Sequence, residues 1–338
     1  MILLTGGTGL VGSHILYDLT SRGEKVRATR RDSSSTEVVE RLFRYYAGEE
    51  ADQLLERIDW VNADLADYYS MESTLTGVTH VIHSAAMVSF NPGEAEKMLS
   101  VNAEGTANIV NASLEKGIEK FCFVSSVSSL GRHPEGQEID EDVEWQPDDN
   151  RSAYSHSKFR AEMEVWRASK EGLSVIIVNP SVIIGPVDWK RSSGRLFYSV
   201  KRGMPFYTGG VTGFVDARDV AAAVSELIKS DVVNERFILN GENLSFKVFF
   251  SKVAKALNKR PPLLKATEWM TGIGWRLNLM LCAIAGKAPA ITKDTARAAH
   301  NKSYYSSRKF SEKFNFTFRS IDDAVQNTTQ WYKEQNGQ

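Results

Sequence analysis

Short apolar runs alternate with stretches of helical polarity over the first half of the chain. Helices that connect parallel strands cover both faces of the sheet, so this alternation predicts an α/β fold built on a parallel sheet. A first apolar run at 2–4 precedes a helix predicted at 10–21. The later runs predict strands at 25–29, 59–62, 80–83, 120–126 and 174–179.

The pattern becomes less regular after Pro180. Glycine-rich turns occupy 203–213, and apolar residues at helical spacing predict helices at 219–230 and 246–258. No internal repeat or low-complexity linker separates the two halves. We therefore expect a first domain at 1–180 and, mainly at 181–338, a smaller lobe that is interleaved with it around one cleft.

Composition and charge limit the function. A chain of 338 residues is long enough for one large core or two unequal lobes. Its formal net charge of -1 argues against a nucleic-acid partner. With only Cys122 and Cys282, a disulfide framework is not expected, and a reducing compartment is favoured. The glycine motif described next follows residue 1 too closely for a signal peptide, so we expect a cytoplasmic protein.

A glycine-rich loop lies between the first apolar run and the first predicted helix. Its glycines recur at every third position, which allows a sharp turn and brings backbone N–H groups close to a ligand. The helix that follows directs its N-terminal dipole at the same point, a placement that suits a pyrophosphate. The alternative is a glycine turn without a ligand. The predicted dinucleotide-binding residues of this loop are Gly6, Thr8, Gly9, Leu10, Val11 and Gly12.

Tyr154 and Lys158 are four residues apart, so on a helix both side chains lie on one face. A phenol with a pKa of ~10 is a weak proton carrier at neutral pH, and a nearby ammonium lowers that pKa by ~1 to 3 units. The pair therefore predicts a general acid/base whose pKa is lowered by the lysine. The alternative is a solvated helix that carries this spacing by chance.

The end of the second predicted strand bears on the choice of cofactor. An acidic residue there binds the ribose 2′-hydroxyl of NAD, whereas guanidinium groups pair with the 2′-phosphate of NADP. This chain has Arg30 and Arg31, followed by Asp32. We predict NADP, bound by the two arginines. Two alternatives stay open: NAD bound by Asp32, and a solvated turn that binds neither cofactor.

Taken in order, these motifs resemble the extended short-chain dehydrogenase/reductases, which form part of the NAD-dependent epimerase/dehydratase family, over nearly the whole chain. In particular, the chain is similar to dihydroflavonol-reductase-like and hydroxysteroid-dehydrogenase-like members. The resemblance implies a Rossmann-type doubly wound sheet with a smaller C-terminal substrate-binding lobe. The further residues that it assigns to cofactor binding are Asp64, Leu65, Ser84, Ala85, Ala86, Asn102, Tyr154, Lys158, Pro180 and Val182.

The same resemblance implies the catalytic roles. Ser126 polarises a carbonyl, Tyr154 protonates it, Lys158 lowers the tyrosine pKa and binds the nicotinamide ribose, and Asn102 supports a water-mediated proton relay. Ser126 is assigned by its alignment to Gly131, with Ser128 as the substitute.

The function implied is NADP-dependent interconversion of a hydrophobic carbonyl compound and its alcohol. A nucleotide-sugar epimerase with tightly bound NAD is the alternative, and a non-catalytic binding module that keeps the fold is a third. Dehydratases of the family place an Asp-Glu pair after the active-site hydroxyl residue, whereas Val127 and Ser128 follow Ser126 here. That difference argues against dehydration.

The apolar segment 269–286 is interrupted by Arg276 and Asn278 and falls short of the ~20 apolar positions of a membrane span. Three interpretations stay open: a helix packed on the second lobe, a lid over a hydrophobic substrate, and a contact with a membrane surface or with a second copy in a homodimer. The histidines show no metal-ligand spacing, so we expect no metal site.

Overall fold

The computed structural model describes residues 1–89, 91–134, 136–146, 151–186, 188–189, 192–284 and 292–335. Strands β1 to β5 alternate with helices, as the apolar pattern predicts, and four of these five strands carry mostly buried side chains. The strands are β1 (Ile2–Thr5), β2 (Val26–Arg30), β3 (Ile58–Asn62), β4 (His80–His83), β5 (Lys120–Val124), β6 (Glu138–Ile139), β7 (Val175–Pro180), β8 (Val182–Ile184), β9 (Phe206–Tyr207), β10 (Val211–Asp216), β11 (Glu235–Leu239), β12 (Glu242–Ser245), β13 (Leu264–Lys265) and β14 (Tyr304–Tyr305).

Within the described ranges, a seven-stranded sheet has the order β11-β7-β5-β4-β1-β2-β3, with every neighbouring pair parallel. The chain runs outward from β1 in one direction and then, from β4, in the other. Loops diverge where the order reverses, which opens a crevice at the carboxyl ends of β1 and β4. The predicted Rossmann-type doubly wound fold is confirmed.

Helices cover both faces of this sheet. Those described are α1 (Leu10–Ser21), α2 (Glu37–Ala47), α3 (Ala51–Leu55), α4 (Tyr68–Thr74), α5 (Ala95–Leu99), α6 (Gly105–Glu115), α7 (Ala153–Lys170), α8 (Gly194–Lys201), α9 (Ala217–Lys229), α10 (Phe246–Ala256), α11 (Glu268–Ile284), α12 (Lys293–Ala298), α13 (Arg308–Phe314) and α14 (Ile321–Gln335). Helices α1, α2 and α9 share one apolar core with the sheet, and α4, α6 and α7 share a second core on the opposite face.

A third core joins α8, α10 and α14 to β8 and β10. In the described part of the chain, three smaller sheets accompany it, with the orders β12-β10-β8, β13-β9 and β14-β6. The chain crosses the domain boundary proposed at residue 180. Helix α9 and strand β11 come after this boundary, yet α9 packs on the main sheet and β11 pairs with β7 within it. None of the helices described is long and apolar enough to cross a membrane.

Several predicted boundaries shift by one or two residues. The strand expected at 120–126 ends at Val124, because Ser126 instead caps a short 3-10 turn at Val127–Ser129. The helix expected at 219–230 is Ala217–Lys229, since the Asp216 side chain accepts the N–H of Arg218 at 2.8 Å and starts the helix earlier. The first of these shifts moves the proposed catalytic serine from a strand to a turn.

Candidate functional site

The glycine-rich loop packs directly on the segment after β4. Gly6 has a φ of +75°, and a β-carbon at this position would lie 2.7 Å from the backbone of Ala85. The two segments are also joined by Thr5, whose carbonyl accepts the N–H of Ser84 and whose hydroxyl accepts that of Ala85, both at 3.3 Å. The loop predicted at 6–12 and the segment 84–86 therefore form one continuous wall.

This wall fits a dinucleotide. Gly9 is the N-cap of α1 and supplies no side-chain cap, so the first N–H groups of the helix are left for a ligand. Among the described residues, the buried hydroxyls of Ser84 and Ser181 lack a hydrogen-bond partner. Buried polar groups are normally satisfied, and a bound polar ligand would satisfy these.

The predicted 2′-phosphate ligands follow β2 at the same edge of the sheet. Arg30 ends the strand, and its Nε donates to Oδ1 of Asn62 at 3.2 Å, while Arg31 and Asp32 are exposed. Asp64 is also exposed and accepts the N–H of Ala66 at 3.0 Å, which shapes a turn. These side chains lie at the carboxyl ends of β2 and β3, where the fold places a bound adenosine half.

Leu65, in the turn after β3, and Asn102, in the helical turn before α6, shape the wall from the other side. The Leu65 β-carbon would lie 2.9 Å from one built on Gly105, so it packs against the start of α6. Asn102 belongs to a π-helical turn at Ser100–Glu104 and is buried. Its side chain accepts the N–H of Met87 at 2.7 Å and donates to the carbonyl of Met87 and to Oγ of Ser157, both at 2.9 Å. Asn102 thus fixes the segment after β4 to α7, and its role in a proton relay stays a prediction.

The proline turn after β7 closes the wall. Pro180 is buried and Val182 partly so, and the N–H of Ser181 donates to the carbonyl of Leu239 at 3.0 Å. Gly185 then contacts α1 and α9, because a β-carbon there would lie 2.6 Å from Ala217 and 3.3 Å from Leu10. The turn is therefore held against the helix that follows the glycine-rich loop.

The proposed catalytic hydroxyls meet beside this wall. Ser152 caps α7 by accepting the N–H of Ser155 at 3.1 Å, which places Tyr154 in the first turn of the helix. Oγ of Ser126 accepts the N–H of Ser128 at 3.2 Å and is hydrogen-bonded to the Tyr154 phenol. The structure thus brings Ser126 and Tyr154 into direct contact, whereas the hydroxyl of Ser128 is not bonded to the phenol.

The electrostatics of Tyr154 differ from the prediction. Burial raises the Tyr154 pKa above its ordinary 10.0, and the hydrogen bond from Ser126 acts in the opposite direction. Lys158 is buried, and its Nζ donates to the carbonyl of Val124 at 2.8 Å. Burial lowers the Lys158 pKa to about 7, and the charge of Glu162 partly offsets this. The predicted net lowering of the Tyr154 pKa is therefore wrong for this structure, because burial is the largest cause of the shift.

A buried polar network beneath these residues was not predicted. Oε2 of Glu162 accepts from Oγ of Ser125 and of Ser129, both at 2.7 Å, and from Nδ2 of Asn179 at 3.0 Å. Its Oε1 accepts from Nη1 of Arg236 at 3.0 Å. The available signal was the spacing of Glu162, which lies four residues beyond Lys158 on the same helical face.

His14 and His83 are neutral structural groups near the site. Burial lowers the pKa of His83 to about 3, and its ring nitrogens contact the hydroxyls of Thr5 at 2.6 Å and Thr106 at 3.0 Å. Burial also lowers the pKa of His14 to about 4. Among the described residues, no group of three or more histidine, cysteine or acidic side chains is arranged to hold a metal ion.

The apolar segment forms α11, which ends at Ile284, so residues 285 and 286 of the predicted segment lie outside the described residues. Its outer face is apolar: Trp269 is 68% exposed, Leu277 54% and Met280 63%. On its inner face, Oγ1 of Thr271 lies 2.9 Å from Nε2 of His300. The helix therefore packs on its own lobe and still presents an apolar surface.

Comparison with known proteins shows what this arrangement is similar to. Residues 2–239 match the model of the NAD dependent epimerase/dehydratase family. A protein of Synechocystis that carries the provisional name dihydroflavonol 4-reductase is 28% identical over 341 residues, which cover 98% of this chain and 94% of that protein. Cinnamoyl-CoA reductase 1 of Oryza sativa subsp. japonica is 30% identical over 238 residues, which cover 66% of each chain.

A solved structure is similar over the full length. The crystal structure of gox2253 superimposes with a TM-score of 0.80 at 30% sequence identity, covering 99% of this chain and 98% of that one. The similarity therefore includes the second lobe, which lies mostly beyond the residues matched by the family model.

Proposed function

The chain belongs to the NAD dependent epimerase/dehydratase family and is an NAD(P)-dependent oxidoreductase of the extended short-chain type, and from this premise we propose that it reduces a hydrophobic carbonyl compound with NADPH or oxidises the corresponding alcohol with NADP. The observation that carries the proposal is the contact between Ser126 and Tyr154 beside the dinucleotide wall, with Lys158 one turn along the same helix.

The cofactor, when bound, supplies or accepts the hydride. The loop 6–12 and the N-terminus of α1 would hold its pyrophosphate, and Arg30 and Arg31 would pair with a 2′-phosphate. Lys158 lies deep in the site and would hold the nicotinamide ribose through its ammonium.

Tyr154 would transfer the proton, and Ser126 would stabilise the carbonyl oxygen. The phenol of Tyr154 is protonated at neutral pH, so it holds the proton that carbonyl reduction consumes, although its raised pKa makes it a weaker acid than an ordinary tyrosine. Ser126 would donate a hydrogen bond to the carbonyl oxygen as negative charge develops there, and its bond to the phenol keeps the two hydroxyls together.

The proposed substrate class is a hydrophobic carbonyl compound. The names of the relatives refer to a dihydroflavonol and to cinnamoyl-CoA, both of which contain an aromatic group. The second lobe exposes the apolar outer face of α11, and an aromatic compound would pack favourably on such a surface. An epimerase that keeps NAD bound and consumes no cofactor is the competing function within the same family.

The test is NADPH oxidation by the purified protein against panels of ketones, aldehydes and nucleotide sugars. We expect oxidation with hydrophobic carbonyl compounds, and Tyr154→Phe is expected to lower kcat by at least ~10²-fold with little change in NADPH affinity. Ser126→Ala is expected to lower kcat less severely, and more than the matched control Ser128→Ala. Retention of more than about half the activity by Tyr154→Phe would remove the phenol from its role, and epimerisation without cofactor turnover would replace the proposed function.

A further inference from the structure

We propose that Glu162 is a positioning residue that fixes the turn bearing Ser126 and keeps the Lys158 side chain in its charged form. The inference rests on the proposed function, because it assigns Glu162 to the same catalytic site. Its two parts depend on different contacts of one carboxylate and can be separated by substitution.

The first part concerns geometry. The backbone carbonyl of Ser126 lies 2.7 Å from Oγ of Ser129, whose single proton it shares with Glu162, and it accepts from Nδ2 of Asn179 at 3.1 Å. Both donors also contact Oε2 of Glu162. Glu162 is only 2% exposed, so water does not replace it as their acceptor. The position of Ser126, and with it the contact between Ser126 and Tyr154, therefore depends on this carboxylate.

The second part concerns charge. Lys158 and Glu162 lie one turn apart on the same face of α7, and both side chains are buried. Burial favours the neutral form of Lys158, and the charge of Glu162 acts in the opposite direction. Of the other titratable groups near the ammonium, His83 from β4 is neutral because its pKa is about 3, and the Tyr154 pKa is raised, so the phenol is neutral as well. Arg236 from β11 pairs through Nη1 with Oε1 of Glu162 at 3.0 Å, the oxygen that the serine hydroxyls do not contact. The carboxylate of Glu162 thus favours the charged form of Lys158.

Three variants separate these effects. Glu162→Gln keeps the shape of the side chain and removes its charge. Ser129→Ala keeps that charge and removes one link between Glu162 and the Ser126 carbonyl. Glu164→Gln is the matched control, because this glutamate lies on the same helix, is partly exposed and pairs with Arg167 at 2.9 Å instead.

The first measurement is a carbon-13 NMR titration of the lysine ε-methylene groups in the cofactor-free full-length protein, with the Lys158 signal assigned by Lys158→Arg. We expect a midpoint near 7 in the unaltered protein, in line with the lowered pKa of Lys158. Glu162→Gln is expected to lower the midpoint by about 1 pH unit or more. Ser129→Ala and Glu164→Gln are expected to leave the midpoint unchanged. Because this readout needs no turnover, it stands whether or not the protein reduces a carbonyl compound.

The second measurement is the pH dependence of carbonyl reduction. We expect Ser129→Ala to lower kcat by about 10-fold or more with KM and the alkaline limb unchanged, since a small displacement of a reacting group slows the chemical step. Glu162→Gln is expected to lower kcat and also to move the alkaline limb to lower pH. Glu164→Gln is expected to match the unaltered protein in both respects.

An unmoved Lys158 midpoint in Glu162→Gln would overturn the charge part, and an unchanged kcat in Ser129→Ala would overturn the geometric part. If Glu162→Gln does not fold, as judged by circular dichroism, Glu162→Asp replaces it. This substitution withdraws the carboxylate by one methylene, so a smaller downward shift of the Lys158 midpoint is expected, and no shift would again overturn the charge part.

Discussion

Gly6→Ala tests the contact on which the dinucleotide wall depends. The added β-carbon would lie 2.7 Å from the Cα and the N of Ala85, against an ordinary contact of at least 3.4 Å, so the two backbones must separate by about 0.7 Å (3.4 minus 2.7). Ala85 cannot retreat without lengthening its 3.3 Å hydrogen bond to Thr5. The residue must also hold its φ of +75°, which non-glycine residues rarely adopt.

A matched control separates the cost of the close contact from the cost of the positive φ. Gly77 has a φ of +74°, and a β-carbon there meets nothing within 4 Å, so Gly77→Ala carries only the backbone term. That term is about 1–2 kcal/mol of unfolding free energy, and overpacking adds about 1–3 kcal/mol for Gly6→Ala. We therefore expect a loss of about 2–5 kcal/mol for Gly6→Ala and about 1–2 kcal/mol for Gly77→Ala.

The assays are chemical denaturation and the quenching of tryptophan fluorescence by NADPH. Because the loop is displaced, we expect Gly6→Ala to weaken NADPH binding by about 10-fold or more, while Gly77→Ala binds as the unaltered protein does. Equal losses of stability in the two variants, together with equal values of Kd, would show that the contact between Gly6 and Ala85 does not shape the cofactor site.

Two further predictions concern specificity. Replacing Arg30 and Arg31 together by Ala is expected to weaken NADPH binding about 10-fold or more relative to NADH, because only NADPH carries a 2′-phosphate; equal losses for both cofactors, or a native preference for NADH, would contradict the NADP assignment. Truncating Trp269 or Trp275 to Ala is expected to raise KM for bulky carbonyl compounds with the Kd for NADPH unchanged. An unchanged KM, or recovery of the protein only from detergent-extracted membranes, would favour the membrane-contact interpretation of the apolar segment.

Local features of the site were predictable because their physics is local. The glycine spacing before α1 and the four-residue spacing of Tyr154 and Lys158 depend only on turn and helix geometry. The order of apolar runs predicted a parallel sheet, since such sheets require strands buried on both faces. The two-residue error at the end of β5 arose because the capping hydroxyl of Ser126 competes with strand pairing, which an apolar pattern does not register.

The electrostatics were not predictable from the same patterns. The direction of the Tyr154 pKa shift depends on burial by segments distant in sequence, which is the largest cause of the shift. The partners of Glu162 come from the ends of β5 and β7 and from Arg236 on β11, so no single stretch of sequence contains the network. The return of β11 to the main sheet across residue 180 is likewise a matter of tertiary pairing.

Strand β11 lies late in the sequence, so it leaves the ribosome after the rest of the main sheet. All six residues of β7 are buried, and β7 pairs with β5 on one side and with β11 on the other. A ribosome releases the strand at 175–180 well before it releases the one at 235–239. During that interval the nascent chain presents the outer edge of β7 with its hydrogen-bonding groups unpaired, a surface that readily recruits other strands. The strand that completes the sheet is therefore also the one that ends this aggregation-prone stage.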